Sequence, residues 1–525
     1  MSRRRGAVAA ALLLLAGLPA AAQEGATHSF VLLMGADTFA VESFTRSPTA
    51  LEGELSGPAL GRIGYRAELG PAATTTALTL RAWPSGATAD APPLQRVGVR
   101  FAADSAIVEV RTAAGEQVQR LPTEPDAIAF VNPSFALAEQ VVLRARALGG
   151  DTVRVPIFLL QGGQTLRATV ARIGPDSVSL SMSGTEVRLA VAADGRVLGG
   201  RVPAQNLTFH RVEGRVAPVG VAPPDYSAPE GAPYTAEEVV VSTPAGHTLA
   251  GTLTRPAGRG RVPAVVTITG SGAQDRDQAS PFIPGWRPFR DVADTLSRRG
   301  IAVLRLDDRG TGASTGDFAS ATSADFADDV RAALAYLRAR PDVDPRRIAV
   351  VGHSEGGMIG PMVAASDPAL RAVVLVAGPA RTGREIIHYQ QRGAVERAAS
   401  IPESSRDSVL AAARAELEEL ATRQPWLGFF LDHDPLPVAR RVRAPVLVLH
   451  GATDRQVEVD QAEILADAFR AGGNRDVTVR VFPEVNHLLL RDPDGDPAGY
   501  ATLTDRRVVP EVLGALADWL ASRLR

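Results

Sequence analysis

From residue 236 onward the hydrophobic positions fall into near-continuous apolar runs separated by segments with helical spacing. Residues 239–242 and 248–255 predict an opening hairpin, and 262–269, 301–306, 348–351, 372–377, 446–450 and 477–482 predict buried strands. Apolar positions three and four apart predict helices over 289–299, 324–338, 356–365, 461–471 and 510–523. Runs rich in Val, Ile and Leu that alternate with helices imply an α/β fold, with a mostly parallel sheet of about eight strands covered on both faces. Earlier in the chain the pattern is different. Residues 23–213 carry shorter alternating runs, among them 62–69, 77–82, 97–102 and 106–111, then 152–160, 164–173, 177–182 and 185–191. These predict an antiparallel β-rich domain interrupted by one helical stretch at 135–148. Between the two lies 214–235, where Pro218, Pro223, Pro224, Pro229 and Pro233 resist both helix and ladder and mark a linker.

Composition narrows the chemistry. With 525 residues, 45% hydrophobic and 22% charged, the chain is globular and long enough for more than one domain. Cysteine is absent and every one of the 56 basic residues is arginine, which excludes disulfides, thiol nucleophiles, lysine Schiff bases and a serine-lysine dyad. Arg3, Arg4 and Arg5 precede the apolar run 7–18 and the small residues Ala20, Ala21 and Ala22, the pattern of a secretory signal peptide over 1–22 cleaved after Ala22. That run is too short to span a bilayer, so no stable membrane anchor is expected, and the mature chain is expected in the periplasm or the medium. Loss of the leader moves the formal net charge from −2 to −5, which argues against a nucleic-acid partner.

The chemistry is concentrated in the last 290 or so residues. Gly352-His353-Ser354-Glu355-Gly356 follows directly on a buried strand and precedes a helix of small residues, the setting in which a strained strand-to-helix turn exposes a nucleophilic serine. A second copy of the motif, Gly312-Ala313-Ser314-Thr315-Gly316, lies eight residues past a strand end with no helix behind it, so context selects Ser354. A serine hydroxyl needs a base, and the base needs a carboxylate to fix its tautomer. Asp454, in the loop after strand 446–450, and His487, after strand 477–482, stand in the chain order this arrangement requires. His353 and His450 are expected to be structural. For the oxyanion, the backbone amide of Glu355 and one from the loop after 262–269 are expected, with Ser271 favoured and Gly272 the alternative. Asp275, Arg276 and Asp277 in that loop are expected to form a structural charge cluster.

Together, Gly270-Ser-Gly-Ala-Gln-Asp-Arg-Asp, Asp308-Arg-Gly-Thr-Gly-Ala-Ser, Gly352-His-Ser-Glu-Gly-Gly, Gly451-Ala-Thr-Asp and Asn486-His487 resemble the secreted bacterial α/β-hydrolases of the esterase and serine-peptidase-like group. The resemblance covers residues 236–523 and does not reach the first 235. It implies Ser354, Asp454 and His487 as a catalytic triad, with no cofactor and no metal. A small-molecule ester or a peptide is the implied substrate. Small to medium carboxylic esters are the leading substrate class, peptides the nearest alternative, and a cell-envelope ligand-binding protein with an incidental hydrolase domain a third. The stretch 379–443 is longer than a connection requires and is expected to form a cap, with Trp426 and Phe430 in an aromatic cluster either packing the cap or walling a pocket. Asp492-Pro-Asp-Gly-Asp496 resembles the opening of a calcium loop, but Pro497 and Leu503 stand where that loop needs Gly and Glu, so an exposed turn is expected.

Overall fold

A computed structural model describes residues 25–525 apart from 36, 59, 84–86, 88–90, 113–114, 183–184, 219–223, 259, 281–282 and 398–402. The leader expected over 1–22 lies outside the described residues. The chain divides into two compact units, one mainly Ala40–Val202 and Thr208–Gly220, the other mainly Val221–Arg525.

The first unit is built on a sheet of 15 strands among the described residues. Pairing is antiparallel from Asp37–Arg46 through to Gly115–Pro122, and again from Thr152–Leu159 through to Val197–Val202. The short strand Ile128–Phe130 departs from the expected antiparallel order and runs parallel to Thr152–Leu159. A sheet this wide curls, and Phe101 and Phe158, from strands distant in the sheet order, meet edge-on at 5.8 Å. The helix Phe135–Leu148 packs on the sheet, its Phe135 stacked on Phe209 at 3.6 Å. At its start, buried Glu42 accepts hydrogen bonds from the amides of Phe135 (2.7 Å) and Ala136 (3.0 Å) and from the hydroxyls of Ser134 and Tyr65. Those four donors meet a carboxyl whose pKa burial pushes up.

The second unit holds eight strands among the described residues: β1 (Tyr234–Ser242), β2 (Thr248–Pro256), β3 (Val262–Ile268), β4 (Ala302–Leu306), β5 (Val343–His353), β6 (Ala372–Val376), β7 (Val446–Gly451) and β8 (Val477–Phe482). Their order is β1-β2-β4-β3-β5-β6-β7-β8, with β2 antiparallel to both its neighbours β1 and β4 and every other pair parallel. Strand β1 begins at Tyr234, inside the stretch expected as linker through Thr235, because Tyr234 and Thr235 already pair with Pro256 and Arg255. The two-residue period of a strand sends Ala264, Val266 and Ile268 to one face and Val265 to the other. Helices α2 (Ser323–Ala339), α3 (Glu355–Ala364) and α8 (Gln461–Ala471) cover the first face, and α1 (Pro288–Ser297) and α9 (Pro510–Arg523) the second. Between β6 and β7 the chain forms α4 (Gly383–Arg397), α5 (Glu403–Ala421), α6 (Pro425–Asp432) and α7 (Leu436–Ala439), in the stretch expected to form a cap.

The loop after β3 leads to β4 on one side of β3, and the chain then returns to β5 on the other. The carboxyl ends of β3 and β5 therefore flank a topological switch point, where open α/β sheets bind their ligands.

Candidate active site

At the end of β5 the chain reverses into α3 within one residue. Ser354 takes that turn at φ 54°, ψ −118°, a left-handed conformation that costs a non-glycine residue energy unless its surroundings impose it. They do so here: the Ser354 amide donates to Val376 O (2.9 Å) and its carbonyl accepts from the Gly357 amide (2.8 Å). Side chains at the flanking glycines are forbidden by backbone. A Cβ on Gly352 would collide with Gly356 O, and one on Gly356 with the carbonyl of Ile268.

Ser354, His487 and Asp454, 133 and 33 residues apart in the chain, form a continuous line of hydrogen bonds. The Ser354 hydroxyl donates to His487 Nε2 (3.1 Å), and His487 Nδ1 donates to Asp454 Oδ2 (2.8 Å). Asp454 Oδ1 accepts the amides of Gln456 (2.8 Å) and Val457 (2.9 Å), which fixes the carboxylate plane. Burial alone would raise the Asp454 pKa, but His487 and His450 hold it well below the usual carboxylate range. His450 is fully buried and donates from Nε2 to Val457 O (3.0 Å). The loop bearing His487 is tied by Asn486, whose Oδ1 accepts the amides of Leu488 (2.9 Å) and Leu490 (3.1 Å).

Ser271 and Glu355 border the same cavity of about 380 Å³ as Ser354 and His487. The loop carrying Ser271 passes so close that a Cβ on Gly270 would lie 3.3 Å from that of Ser354. Trp426 and Phe430 of α6 line this cavity too, as do Ile283, Trp286 and Leu488 of a separate apolar cluster.

The matching family model is that of the alpha/beta hydrolase family, over residues 282–501. Esterase EstD of Thermotoga maritima is 30% identical over 307 residues, which cover 57% of this chain and 69% of that protein. The chain belongs to the α/β-hydrolase family. This hydrolase is also similar to the uncharacterized peptidase YuxL of Bacillus subtilis, at 27% identity over 49% of this chain and 36% of that one. Among solved structures, the Pyrococcus furiosus esterase Pf2001 matches 57% of the hydrolase chain and 96% of its own, at 17% identity and a TM-score of 0.42.

Other residues of the hydrolase are placed as follows. Ser314 is buried, donates to Asp307 O (2.8 Å) and accepts the Ala250 amide (2.9 Å), so the second serine motif is a structural turn. Arg276 is clamped by Asp307 and Glu238, and Asp277 by Arg305 and Arg287, a buried ion-pair network. The turn at Asp492 is not simply exposed. Asp492 is buried because its Oδ2 accepts from Asn486 Nδ2 (3.1 Å), and Thr453 Oγ1 donates to its carbonyl, which ties the Asp454 and His487 loops together.

Several contributors to the site escaped the pattern of the sequence. Asp308 braces the loop after β3, accepting from Thr269 Oγ1 (2.8 Å) and the Gln274 amide (2.9 Å), and burial pushes its pKa up to about 8. Its place two residues past the end of β4, at the head of the stretch Asp308-Arg-Gly-Thr-Gly, was the available signal. Gln278 Nε2 donates to His353 Nδ1 (2.6 Å), a contact between a loop and the last residue of β5 that no local spacing announces. The Glu355 side chain accepts from Ser323 Oγ and Trp426 Nε1, whereas only its backbone amide had been expected to matter.

Proposed function

We propose that this chain is a serine hydrolase that cleaves small to medium carboxylic esters through an acyl-serine intermediate. The observation that carries the reading is the Ser354–His487–Asp454 hydrogen-bond line ending at a strained serine on the wall of a cavity. Ser354 Oγ attacks the ester carbonyl carbon as His487 Nε2 takes its proton, and Asp454 stabilises the imidazolium. The amides of Glu355 and Ser271 meet the negative charge on the former carbonyl oxygen. Collapse breaks the bond to the alkoxide, which leaves as the alcohol with the proton from His487; water then repeats the sequence on the acyl-serine.

The esterase name of the Thermotoga relative supports ester over amide, and the peptidase name of the Bacillus relative keeps peptides as the second reading. The deciding experiment is a panel of chromogenic esters of graded acyl length beside aminoacyl and peptidyl amides, with fluorophosphonate labelling to report the nucleophile. Amide turnover at rates matching the esters would replace the first reading by the second. The leader pattern of residues 1–22 supports export, which N-terminal sequencing of the mature protein tests: a chain starting at Gln23 is expected.

A further inference from the structure

His353 makes one hydrogen bond from each ring nitrogen, and the first dictates the second. The carbonyl of His487 can only accept, so His353 Nε2, 2.8 Å away, carries a proton. The ring is buried, and desolvation favours its neutral form, which leaves Nδ1 with a lone pair in need of a donor. Gln278 supplies that donor, its Nε2 lying 2.6 Å from Nδ1. Were the amide turned to present its oxygen, two acceptors would face each other, so the His487 carbonyl also decides which way the Gln278 amide points.

Gln278 makes this contact from a strained backbone. It sits at φ 58°, in the left-handed region that a glutamine avoids unless its surroundings impose it. The loop after β3 does so. The Gln278 amide donates to Asp275 O (2.8 Å), and Asp275 Oδ1 accepts the amides of Asp277 (3.1 Å) and Ala279 (2.8 Å) on either side. The residue is 2% exposed, and a Cβ on Gly270 would lie 3.3 Å from Gln278 Nε2, so the amide packs beside the residue that precedes Ser271. Gln278 therefore joins the loop that carries the proposed oxyanion donor to the loop that carries the proposed base, through the residue before the proposed nucleophile.

We propose that Gln278 is a positioning residue for the reaction: by donating to His353 it selects the ring tautomer that holds the His487 carbonyl, and so aligns the base with Ser354. This rests on the serine-hydrolase reading above and adds to it a residue outside the triad. An apolar side chain of the same length would fill the space but leave Nδ1 without a donor, and the His487 carbonyl without a fixed partner. A carboxyl at this position would behave differently. It would share one proton with the ring, and either placement of that proton keeps Nε2–H on the His487 carbonyl. Once the shared proton leaves, Nδ1–H donates to the carboxylate and Nε2 turns a lone pair on the carbonyl. The other titratable groups acting on the ring are His487, Asp454 and His450. Wild type and variants have all three in common, so the ratio of their rates isolates position 278.

The test measures kcat and KM for p-nitrophenyl acetate between about pH 5 and 9 in wild type, Gln278→Met and Gln278→Glu. Rates are taken per folded molecule, from circular dichroism, with fluorophosphonate labelling beside them. Gln278→Met is expected to lower kcat roughly 10- to 100-fold at every pH with KM little changed, the effect of a small displacement of a reacting group. Gln278→Glu is expected to run close to wild type at the acid end and to fall away from it as the pH rises, a basic limb that Gln278→Met does not show. Wild-type kcat in Gln278→Met, or a change confined to KM, overturns this inference and leaves the serine-hydrolase reading standing. A ratio of Gln278→Glu to wild type that is flat with pH, as a space-filling role predicts, overturns it equally. If the glutamate variant does not fold, Gln278→Met decides alone through kcat against KM. A wild type that neither hydrolyses the ester nor labels removes the serine-hydrolase reading and this inference with it.

Discussion

His353 Nε2 donates a hydrogen bond to the backbone carbonyl of His487 at 2.8 Å, so the residue just before the proposed nucleophile holds the residue proposed as its base. Because Nε2 donates, Nδ1 accepts, and it does so from Gln278. The ring must stay neutral to make both bonds, and burial, reinforced by the neighbouring His487, pushes its pKa down to about 3.

This gives a stability prediction with a definite sign. A histidine in the unfolded chain titrates near 6.5, while folded His353 titrates about 3. Between those values the unfolded state binds a proton that the folded state refuses. Stability is therefore fully present above about pH 6.5 and falls as the pH drops toward 3, by up to about 1.4 kcal/mol per pH unit from this one group. Urea midpoints between pH 4 and 7 check it: His353→Gln should show a shallower pH dependence than wild type, and equal slopes would remove His353 as the cause.

Replacement of Ser354 by Ala is expected to lower turnover roughly 10³-fold or more and to abolish fluorophosphonate labelling, with folding intact. Ser314→Ala should do the reverse. It strands the Ala250 amide, costing about 1–3 kcal/mol in thermal unfolding, and leaves labelling in place. Labelling that followed Ser314 would disprove the assignment of the elbow.

For Asp454→Asn, the substituted carbonyl can still accept the amides of Gln456 and Val457, but its NH₂ faces His487 Nδ1 and favours the wrong tautomer. A drop in kcat of roughly 10³- to 10⁴-fold with little change in KM is expected from steady-state kinetics. An unaltered kcat would take Asp454 out of the mechanism.

Asp277→Ala leaves Arg305, 2% exposed, with its buried charge uncompensated. Burial and the nearby Arg276 already lower the Arg305 pKa to about 10. The variant should lose about 3–5 kcal/mol, read by denaturant unfolding. A loss below about 1 kcal/mol would mean that the network is a surface-like pair.

A fragment beginning at residue 224 is expected to fold and hydrolyse an activated ester. One beginning at 236 should be weaker, because it lacks two residues of β1 and Tyr226, whose hydroxyl donates to Asp275 (3.1 Å) and whose ring lies under Arg276. A folded, inactive 224–525 fragment would show that the first unit completes the site.

The sheet of the second unit was legible because its central strands are buried on both faces, leaving unbroken runs such as 262–268 that no amphipathic element imitates. Ser354 and Asp454 stood out in the sequence for a related reason, since each follows such a strand, while His487 follows the edge strand β8, whose apolar alternation marked it without full burial. The carboxyl of Glu355 and the ring of His353 were not, since their partners at 426, 323, 278 and 487 come from loops and helices whose approach depends on the finished fold. In the first unit the runs gave individual strands and the helix 135–148, but the parallel strand Ile128–Phe130 is too short to leave a periodic signature.

The attachment of Glu42 to the start of the helix Phe135–Leu148 bears on how the first unit opens. Helix ends ordinarily fray, because their first amides face water. Here the amides of Phe135 and Ala136 end on a carboxylate carried by strand Asp37–Arg46, more than 90 residues earlier. The first turn cannot unwind without baring that charge in the interior. Helix and strand should accordingly melt together as one cooperative element, and in hydrogen exchange those two terminal amides should be among the slowest of the unit rather than the fastest.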